Sequence, residues 1–268
     1  MKIGKSSNPT SSIATSNAET IVVRGFDLCK DLIGHVSLTE HFWLLATGQR
    51  ASTAQGRVLD ACMVAISEHG LVPSVQAARM TYAAGPEAMQ GAVAAGILGC
   101  GSVILGSAEN AGRFIAKALE RAAGGDMKAA ALALVQEYRA QKLPFPGYGH
   151  PQHKDADPRA ARLVAVAKDN GVAGKHIQMA YALEAAIKEV VGKSLVFNVS
   201  GAIPAVLLDA GFPVTGLKGV PILARTASLV AHLVEEQMRP IGFLLSEAGD
   251  NAIKYDGATP AGFVPGAH

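Results

Sequence analysis

The sequence is poor in charged and aromatic residues. Of its 268 residues, 17% are charged and 5% are aromatic, whereas 49% are hydrophobic, and the mean hydropathy is +0.24. An ordinary globular chain carries about 25% charged residues, and disordered chains carry more charge and fewer apolar residues. We therefore expect a folded protein that buries more surface than a monomer usually does. At roughly 100–200 residues per domain, the length allows one large domain or two small ones.

The chain also lacks an excess of charge of either sign. Its 24 lysines and arginines nearly balance 22 aspartates and glutamates, which leaves a net charge of +2 at pH 7. Proteins that bind nucleic acids usually carry a strongly basic domain or patch. The charge balance therefore predicts no nucleic-acid partner.

Cysteines are scarce, and their positions exclude two common uses. Cys29, Cys62 and Cys100 do not have the spacing of zinc ligands, and an odd, scattered set makes a poor disulfide framework. The first 12 residues are polar and lack the apolar centre of a signal peptide. We therefore expect a cytoplasmic protein without a metal site.

One uncharged run raises the question of a membrane. Residues 88–108 carry no charge and are long enough to span a bilayer. Gln90 and several glycines interrupt this run, and large apolar side chains are few. Such a segment is more typical of a helix buried in a core or between subunits, so the sequence predicts no membrane association.

Most of the chain shows the three-to-four-residue apolar spacing of helices. Between 57 and 69, the apolar side chains form one stripe, and Asp157 followed by Pro158 is typical of a helix start. Further helices are predicted over 160–170, 177–191, 202–210 and 221–238. The sequence therefore predicts an all-α fold.

Strand signals are few. They are confined to residues 20–24 and 194–197. The segment before about residue 20 is rich in Ser, Thr and Asn, and we expect it to be mobile.

Two histidines are candidates for chemistry. His150 lies in the loop 143–151, which reads LPFPGYGHP and cannot continue a helix because it holds three prolines and two glycines. His69 follows Glu68 at a helix end, where the helix dipole alone would favour a histidine. Imidazole titrates near neutral pH and can polarise or deprotonate a substrate hydroxyl.

Arg159, Arg225 and Arg239 stand out among the basic residues. Each alone also fits a structural role, at a helix start, in a buried ion pair, or at a helix end. Arg225 and Arg239 are separated by 14 residues, or about 21 Å along a helix. A small anion that contacts both must therefore take one of them from another subunit, most simply in a two-fold homodimer.

Four segments, in the same order along the chain, resemble the citrate synthase superfamily. They read SEHGLVPS (67–74), FPGYGHPQHKDADPR (145–159), NVSG (198–201) and LARTASLVAHLVEEQMRP (223–240). The first is similar to the form seen in citryl-CoA lyases. The chain length also resembles the compact citryl-CoA lyase module found at the end of ATP-citrate lyase.

The resemblance implies a two-domain helical protomer in a homodimer or a higher even oligomer. Residues 1–104 and 216–268 would form the large domain, and residues 105–215 the small one. A coenzyme A thioester would bind as substrate rather than as a tightly bound cofactor, along the backbone of Pro146, Gly147, Tyr148 and Gly149.

The resemblance also implies roles for the site residues. His150 would hydrogen-bond the oxygen at the bond that breaks. The carboxylates of a di- or tricarboxylate would be held by His69, Arg159, Arg225 and, from the partner chain, Arg239. A forked guanidinium matches a carboxylate at two points.

Two positions depart from the superfamily pattern. Leu105 or Gly106 stands where citrate synthases carry a histidine, a loss shared with the lyases. Ser200 replaces an aspartate that transfers a proton, and a serine hydroxyl cannot act as a base without help. We expect the thioester enolate to accept a hydrogen bond from the backbone N–H groups around Gly106–Ser107 or from the hydroxyl of Ser200. The water that protonates it would be held by Ser200 or by Asn198, which we count among the substrate-binding residues.

The sequence therefore predicts a carbon–carbon lyase without a metal or redox cofactor. It would split a 3-hydroxy-3-carboxyacyl-CoA such as citryl-CoA into a 2-oxo acid and an acyl-CoA. Two alternatives stay open: a Claisen-type synthase that condenses an acyl-CoA with a 2-oxo acid, and a non-catalytic relative that binds carboxylates or coenzyme A.

Overall fold

A computed structural model describes residues 9–101, 106–149 and 156–264. Over these ranges the chain is mainly helical, as the all-α prediction requires. The first helices are α1 (Leu38–Thr47), α2 (Thr53–Ser67), α3 (Pro73–Ala84), α4 (Met89–Leu98), α5 (Gly106–Ala122) and α6 (Met127–Ala140). They are followed by α7 (Pro158–Asp169), α8 (Lys175–Val191), α9 (Val199–Asp209), α10 (Gly219–Met238) and α11 (Gly242–Ala252).

The N-terminal part forms a small antiparallel sheet. Its strands are β1 (Ala14–Ser16), β2 (Ile21–Val23) and β3 (Phe26–Asp27), paired in that order. Strand β2 confirms the predicted strand at 20–24, whereas β1 lies in the segment that we expected to be mobile. Strand β2 joins a buried cluster through Val23, beside Leu44, whereas the exposed and polar β1 is ordered by its pairing with β2.

The predicted helix signals agree with the observed ends. Asp157 caps α7 and accepts a hydrogen bond from the backbone N–H of Arg159. Val58, Leu59 and Cys62 lie on the buried stripe of α2. The predicted strand at 194–197 is reduced to one antiparallel bridge between Tyr148 and Phe197.

By Cα proximity the chain divides into two compact units, which we describe separately. The first contains residues 1–65 and 107–220, in which α6 and α9 pack on α8, and α7 packs on α9. The second contains residues 66–106 and 221–268, in which α3 packs on α4 and α11. The sequence predicted a large domain of residues 1–104 and 216–268 and a small domain of residues 105–215 that would close around a ligand. That division stays a prediction.

The uncharged run at 88–108 does not form one long helix, because α4 ends at Leu98. Among the described residues, Val214–Met238 is the segment long and apolar enough to cross a membrane by length and composition. The core helix of a soluble protein can have the same length and composition. The absence of membrane association stays a prediction.

Candidate functional site

The loop Pro146–Gly149 is fixed to the start of α9 by its backbone. The N–H of Gly149 donates to the carbonyl of Val196 at 2.7 Å, and the N–H of Asn198 donates to the carbonyl of Gly147 at 3.0 Å. These are the two hydrogen bonds that surround the Tyr148–Phe197 bridge. The loop and the N-terminus of α9 therefore form one local structure.

Two glycines allow this close approach. Gly147 has a φ of +89°, and a Cβ there would lie 2.8 Å from the Cα of Gly201 and 3.0 Å from the Cβ of Ala111. A Cβ at Gly201 would in turn lie 2.8 Å from the carbonyl oxygen of Gly147. Because the contact is between two backbones, no side-chain rotation can relieve such a clash.

Tyr148 is the buried anchor of the loop. Its hydroxyl donates to the carbonyl of Ala180 at 2.7 Å, and its ring packs against Phe197. Burial, together with the negative charge of Glu184, raises the pKa of the Tyr148 hydroxyl. The side chain of Tyr148 therefore serves the core, and coenzyme A binding to this loop, which stays a prediction, would rely on backbone groups.

Asn198 joins the loop to α9. Its side-chain oxygen accepts from the N–H of Gly201 at 3.2 Å and so caps α9, while its amide nitrogen donates to the carbonyl of Gly149 at 2.6 Å. The sequence predicted a substrate-binding role for Asn198, which stays a prediction. The structure adds a local role that the NVSG motif alone did not reveal.

Ser200 lies in the first turn of α9 and is half-buried. Within the described ranges, its hydroxyl makes no hydrogen bond that would fix it elsewhere. A hydroxyl at a helix N-terminus lies in a positive local field, which suits a hydrogen-bond donor to an anion. Its proposed contact with an enolate stays a prediction.

Arg159 is held by the acid that caps its own helix. Asp157 is buried, and its Oδ1 accepts from Nε of Arg159 at 3.1 Å while its Oδ2 accepts from Nη2 at 3.0 Å. The same Oδ2 accepts from the N–H of Val199 at 2.9 Å, which ties α7 to the start of α9. From the sequence we predicted only that Asp157 caps a helix. Its position two residues before Arg159 was the signal that could have indicated the side-chain pair.

The pKa of Asp157 reflects this environment. Burial favours the neutral carboxyl and raises its pKa, but hydrogen bonds from the Arg159 side chain and from the N–H groups of Val199 and Arg159 outweigh burial. The pKa therefore lies below the usual aspartate value. Asp157 stays ionised and keeps Arg159 oriented at neutral pH.

A cavity of about 550 Å³ lies between α2 and α7, inside the first unit. Arg159 lines it together with Arg57 and Arg162, and Val64 and Leu163 are among its apolar residues. Asp60 also lines the cavity, but three guanidinium groups outnumber its one carboxylate, so the cavity suits an anion with a hydrocarbon part. Sequence reasoning missed Arg57 and Arg162, since neither belongs to a recognised motif.

The remaining predicted site residues divide into two groups. His150 and Leu105 lie outside the described residues. His69, Arg225 and Arg239 belong to the second unit, where Arg225 is buried in α10 and the other two are exposed. The structure thus brings Arg159, Asn198, Ser200 and the loop together in the first unit.

Glu68 connects the His69 turn to α10 and was missed by the sequence analysis. One carboxylate oxygen of Glu68 accepts from the N–H groups of His69 and Gly70, and the other accepts from the hydroxyl of Ser228 and from Nε2 of His232. Ser228 lies three residues beyond Arg225, on the same face of α10. The His69 turn is therefore fixed near Arg225.

The pKa of Glu68 fits this fixed position. Burial raises the pKa of the Glu68 carboxyl, but the Ser228 hydroxyl, the two backbone N–H groups and the charge of His232 lower it by more. Its pKa is below the usual glutamate value.

Over the described part of the chain, no group of histidines, cysteines and acids has the arrangement of a metal site.

These features define a mainly helical protein with a glycine-dependent backbone loop and with an arginine, Arg159, held in a fixed orientation by a buried aspartate. The chain belongs to the family described as citrate synthase, C-terminal domain, whose model matches residues 10–241. The predicted resemblance is thereby confirmed. No curated protein matches the sequence at a significant level.

Solved structures agree with this membership. Citryl-CoA lyase from Hydrogenobacter thermophilus is 32% identical, with a TM-score of 0.84 over 95% of this chain and 97% of that one. ATP citrate lyase from Methanothrix soehngenii, solved with citrate and coenzyme A, is 19% identical, with a TM-score of 0.79 over 96% of this chain and 43% of that one. Citrate synthase from Thermotoga maritima is 22% identical, with a TM-score of 0.61 over 86% of this chain and 60% of that one. The last two likenesses concern the fold alone.

Proposed function

We propose that this protein is a carbon–carbon lyase that cleaves citryl-CoA, or a closely related 3-hydroxy-3-carboxyacyl-CoA, into a 2-oxo acid and an acyl-CoA. The observation that carries the proposal is the similarity to a citryl-CoA lyase of nearly the same length, at 32% identity. The products would be oxaloacetate and acetyl-CoA when citryl-CoA is the substrate.

Binding of the substrate carboxylates would rest on arginines held in place before the substrate arrives. Arg159 is oriented by two hydrogen bonds to the buried Asp157. A guanidinium whose rotamer is already fixed loses less conformational entropy when it binds a carboxylate. Arg225 and His69 would hold further carboxylates, and Arg239 would reach the site of the partner subunit.

The reaction would begin at the tertiary hydroxyl of the substrate. His150 takes the hydroxyl proton, and the oxygen forms the new carbonyl of the 2-oxo acid. The bond between this carbon and the methylene carbon breaks, and its electron pair moves into the thioester as an enolate. A water molecule then protonates the methylene carbon, which gives the acyl-CoA, and the hydroxide that it leaves takes the proton held by His150.

Ser200 would act on the enolate as a hydrogen-bond donor. Its hydroxyl lies at the N-terminus of α9 and is not committed to another described group. A donor placed where charge develops stabilises the transition state more than the substrate. Asn198, beside it, would hold the water that supplies the proton.

The same proposal includes the binding of coenzyme A and the setting of the protein. The thioester would lie along the backbone of Pro146–Gly149 as a substrate, with no tightly bound cofactor. The protein would work in the cytoplasm as a homodimer, or a higher even oligomer, with shared sites. It would need no membrane or nucleic acid.

Ser200 also favours a second candidate function, a non-catalytic relative that binds carboxylates or coenzyme A. A serine in place of the superfamily aspartate removes a proton-transfer group, and such a loss typically costs about 10²–10⁴ in rate. Binding residues would persist in such a protein while turnover would not.

Incubation of the purified protein with citryl-CoA tests the proposal, with release of oxaloacetate followed by a coupled malate dehydrogenase assay. We expect turnover that His150→Ala abolishes. Binding of citrate without turnover of citryl-CoA or related thioesters would support the non-catalytic candidate. Rapid thiol release from acetyl-CoA and a 2-oxo acid, with no net cleavage, would instead indicate a synthase.

A further inference from the structure

A buried arginine in α3 binds the segment that carries Arg239. Arg79 is 3% exposed, and its Nε donates to Oε2 of Glu236 at 2.5 Å. Its Nη1 donates to Glu235 at 2.9 Å, and its Nη2 donates to the backbone carbonyl of Arg239 at 2.9 Å. The three nitrogens of one guanidinium therefore contact the last turn of α10 and the residue beyond it.

Glu236 holds the same segment from its other side. It is 3% exposed, and its Oε1 accepts from the N–H of Ile241 at 2.9 Å and of Gly242 at 2.7 Å. Gly242 is close-packed, since a Cβ there would lie 2.6 Å from the carbonyl oxygen of Arg79. The backbone on both sides of Arg239 is thus fixed by one buried ion pair.

Stability alone does not account for this arrangement. A buried ion pair often contributes less to stability than a well-packed apolar pair of the same volume, because both ions lose their hydration. What a charged pair adds is geometric specificity, because each of its hydrogen bonds forms only when donor and acceptor are correctly oriented. Here the hydrogen bonds fix the conformation of the Arg239 backbone, while the Arg239 side chain itself is exposed.

We propose that Arg79 and Glu236 are positioning residues for the Arg239 guanidinium. This inference rests on the proposed function, in which Arg239 binds a substrate carboxylate. The pair fixes the backbone from which Arg239 extends, so the guanidinium reaches the carboxylate without a search through other backbone conformations. Glu235, which is 44% exposed, contributes less, because solvent screens exposed ion pairs.

The substitution Arg79→Lys tests this role. A lysine keeps the charge beside Glu236, but one ammonium group cannot span all three acceptors. We expect KM for citryl-CoA to rise by about tenfold or more with little change in kcat, since Arg239 would bind the carboxylate equally in the ground and transition states. The matched control is Arg24→Lys, because Arg24 also donates through Nε and Nη2 to a backbone carbonyl, that of Leu45. Its KM should equal that of the wild type.

A double-mutant cycle separates positioning from a general loss of structure. If Arg79 acts through Arg239, Arg79→Lys has little further effect on KM in an Arg239→Ala protein, whereas in an Arg225→Ala protein its effect persists. An equal effect of Arg79→Lys with and without Arg239 would overturn the inference. If Arg79→Lys fails to fold, Glu236→Gln provides the same cycle, since glutamine retains an oxygen for the N–H groups of Ile241 and Gly242.

The wild-type protein distinguishes failure of this inference from failure of the proposed function. Calorimetric binding of citrate is measured alongside citryl-CoA cleavage. A wild type that neither binds citrate nor cleaves citryl-CoA would overturn the proposed function and the inference with it. An active wild type whose KM and citrate affinity are unchanged by Arg79→Lys would overturn the inference alone.

Discussion

Asp157 and Arg159 lie two residues apart at the start of α7, and both oxygens of the aspartate hold the arginine side chain. The distances are 3.1 Å between Oδ1 and Nε and 3.0 Å between Oδ2 and Nη2. Since Oδ2 also accepts from the N–H of Val199, the same carboxylate sets the arginine and the helix that carries Ser200. One buried charge thus fixes both the Arg159 side chain and the start of α9.

The substitution Asp157→Asn tests this arrangement. Asparagine has one acceptor oxygen where aspartate has two. Its amide nitrogen would face N–H donors that Asp157 now accepts from, and these donors would lose their hydrogen bonds. We expect a loss of about 1–3 kcal/mol in the free energy of unfolding and a higher KM for citryl-CoA. Asp126→Asn is the control, because Asp126 caps α6 through two backbone N–H groups and, among the described residues, holds no arginine. An unchanged KM in Asp157→Asn would contradict the role of Asp157.

The contact between Gly147 and Gly201 predicts that Gly147→Ala is strongly destabilising. The backbone strain at a φ of +89° costs about 1–2 kcal/mol, and the clash with Gly201 adds about 1–3 kcal/mol. Gly171→Ala isolates the first contribution, because Gly171 has a φ of +69° and a Cβ added there would meet nothing within 4 Å. Urea unfolding should show a clearly larger loss at Gly147. Equal losses in the two variants would show that the contact between Gly147 and Gly201 does not contribute to the free energy of unfolding.

Asp209 predicts a loss of stability in acid. Its buried carboxylate accepts from the N–H groups of Gly174, His176 and Ile177 and from Nδ1 of His176. Burial raises the pKa of Asp209, but these hydrogen bonds outweigh burial, so its pKa lies below the usual aspartate value. A group whose pKa is lowered on folding stabilises the protein fully above its unfolded pKa, and this stabilisation is lost as the pH falls through the folded pKa.

We therefore expect the free energy of unfolding to fall more steeply from about pH 6 to about pH 3 in the wild type than in Asp209→Asn. Asp169→Asn is the control, since Asp169 lies exposed at the end of α7. Its pH profile should follow that of the wild type. Identical slopes in all three proteins would show that Asp209 is not linked to folding.

Shared sites predict complementation between inactive variants. Arg159→Ala and Arg239→Ala should each have low activity. In a mixed dimer, one site combines the intact Arg159 of one chain with the intact Arg239 of the other. Random mixing should restore activity at about a quarter of all sites. The absence of recovery after subunit exchange, verified by mass spectrometry of the dimers, would exclude a site shared in this way.

Ser200→Asp distinguishes the two candidate functions. A carboxylate cannot donate a hydrogen bond to an enolate, so we expect kcat for citryl-CoA cleavage to fall by about 10²-fold or more. Ser200→Ala should lower kcat in the same direction, and Ser107→Ala, a serine in the first turn of α5, serves as the control. A large gain with Ser200→Asp would instead favour a relative whose catalysis had decayed.

Local signals in the sequence predicted local structure well. The Asp157-Pro158 pair gave the start of α7, and the apolar stripe of α2 is buried as expected. Strand β1 was not predicted because its residues are polar, and its order comes from pairing with β2 rather than from its own pattern. The 194–197 segment has strand composition but finds a partner only at Phe197.

The candidate site was predictable only where a motif carried it. Arg159 and the Pro146–Gly149 loop came from recognisable segments. Arg79 and Glu236 are 157 residues apart, and nothing in either local sequence indicates the other. A buried ion pair of this kind is set by the packing of α3 against the end of α10, which a single sequence does not encode in any short pattern.

The backbone attachment between the Pro146–Gly149 loop and α9 has a consequence for divergence within the family. Main-chain bonds, two glycines and the side chains of Tyr148, Asn198 and Asp157 hold this region. Among the described contacts, the side chain at position 200 takes no part in supporting it. Selection can therefore exchange the side chain there while the scaffold keeps its shape. A change from carboxylate to hydroxyl at position 200 would therefore leave the surrounding architecture intact.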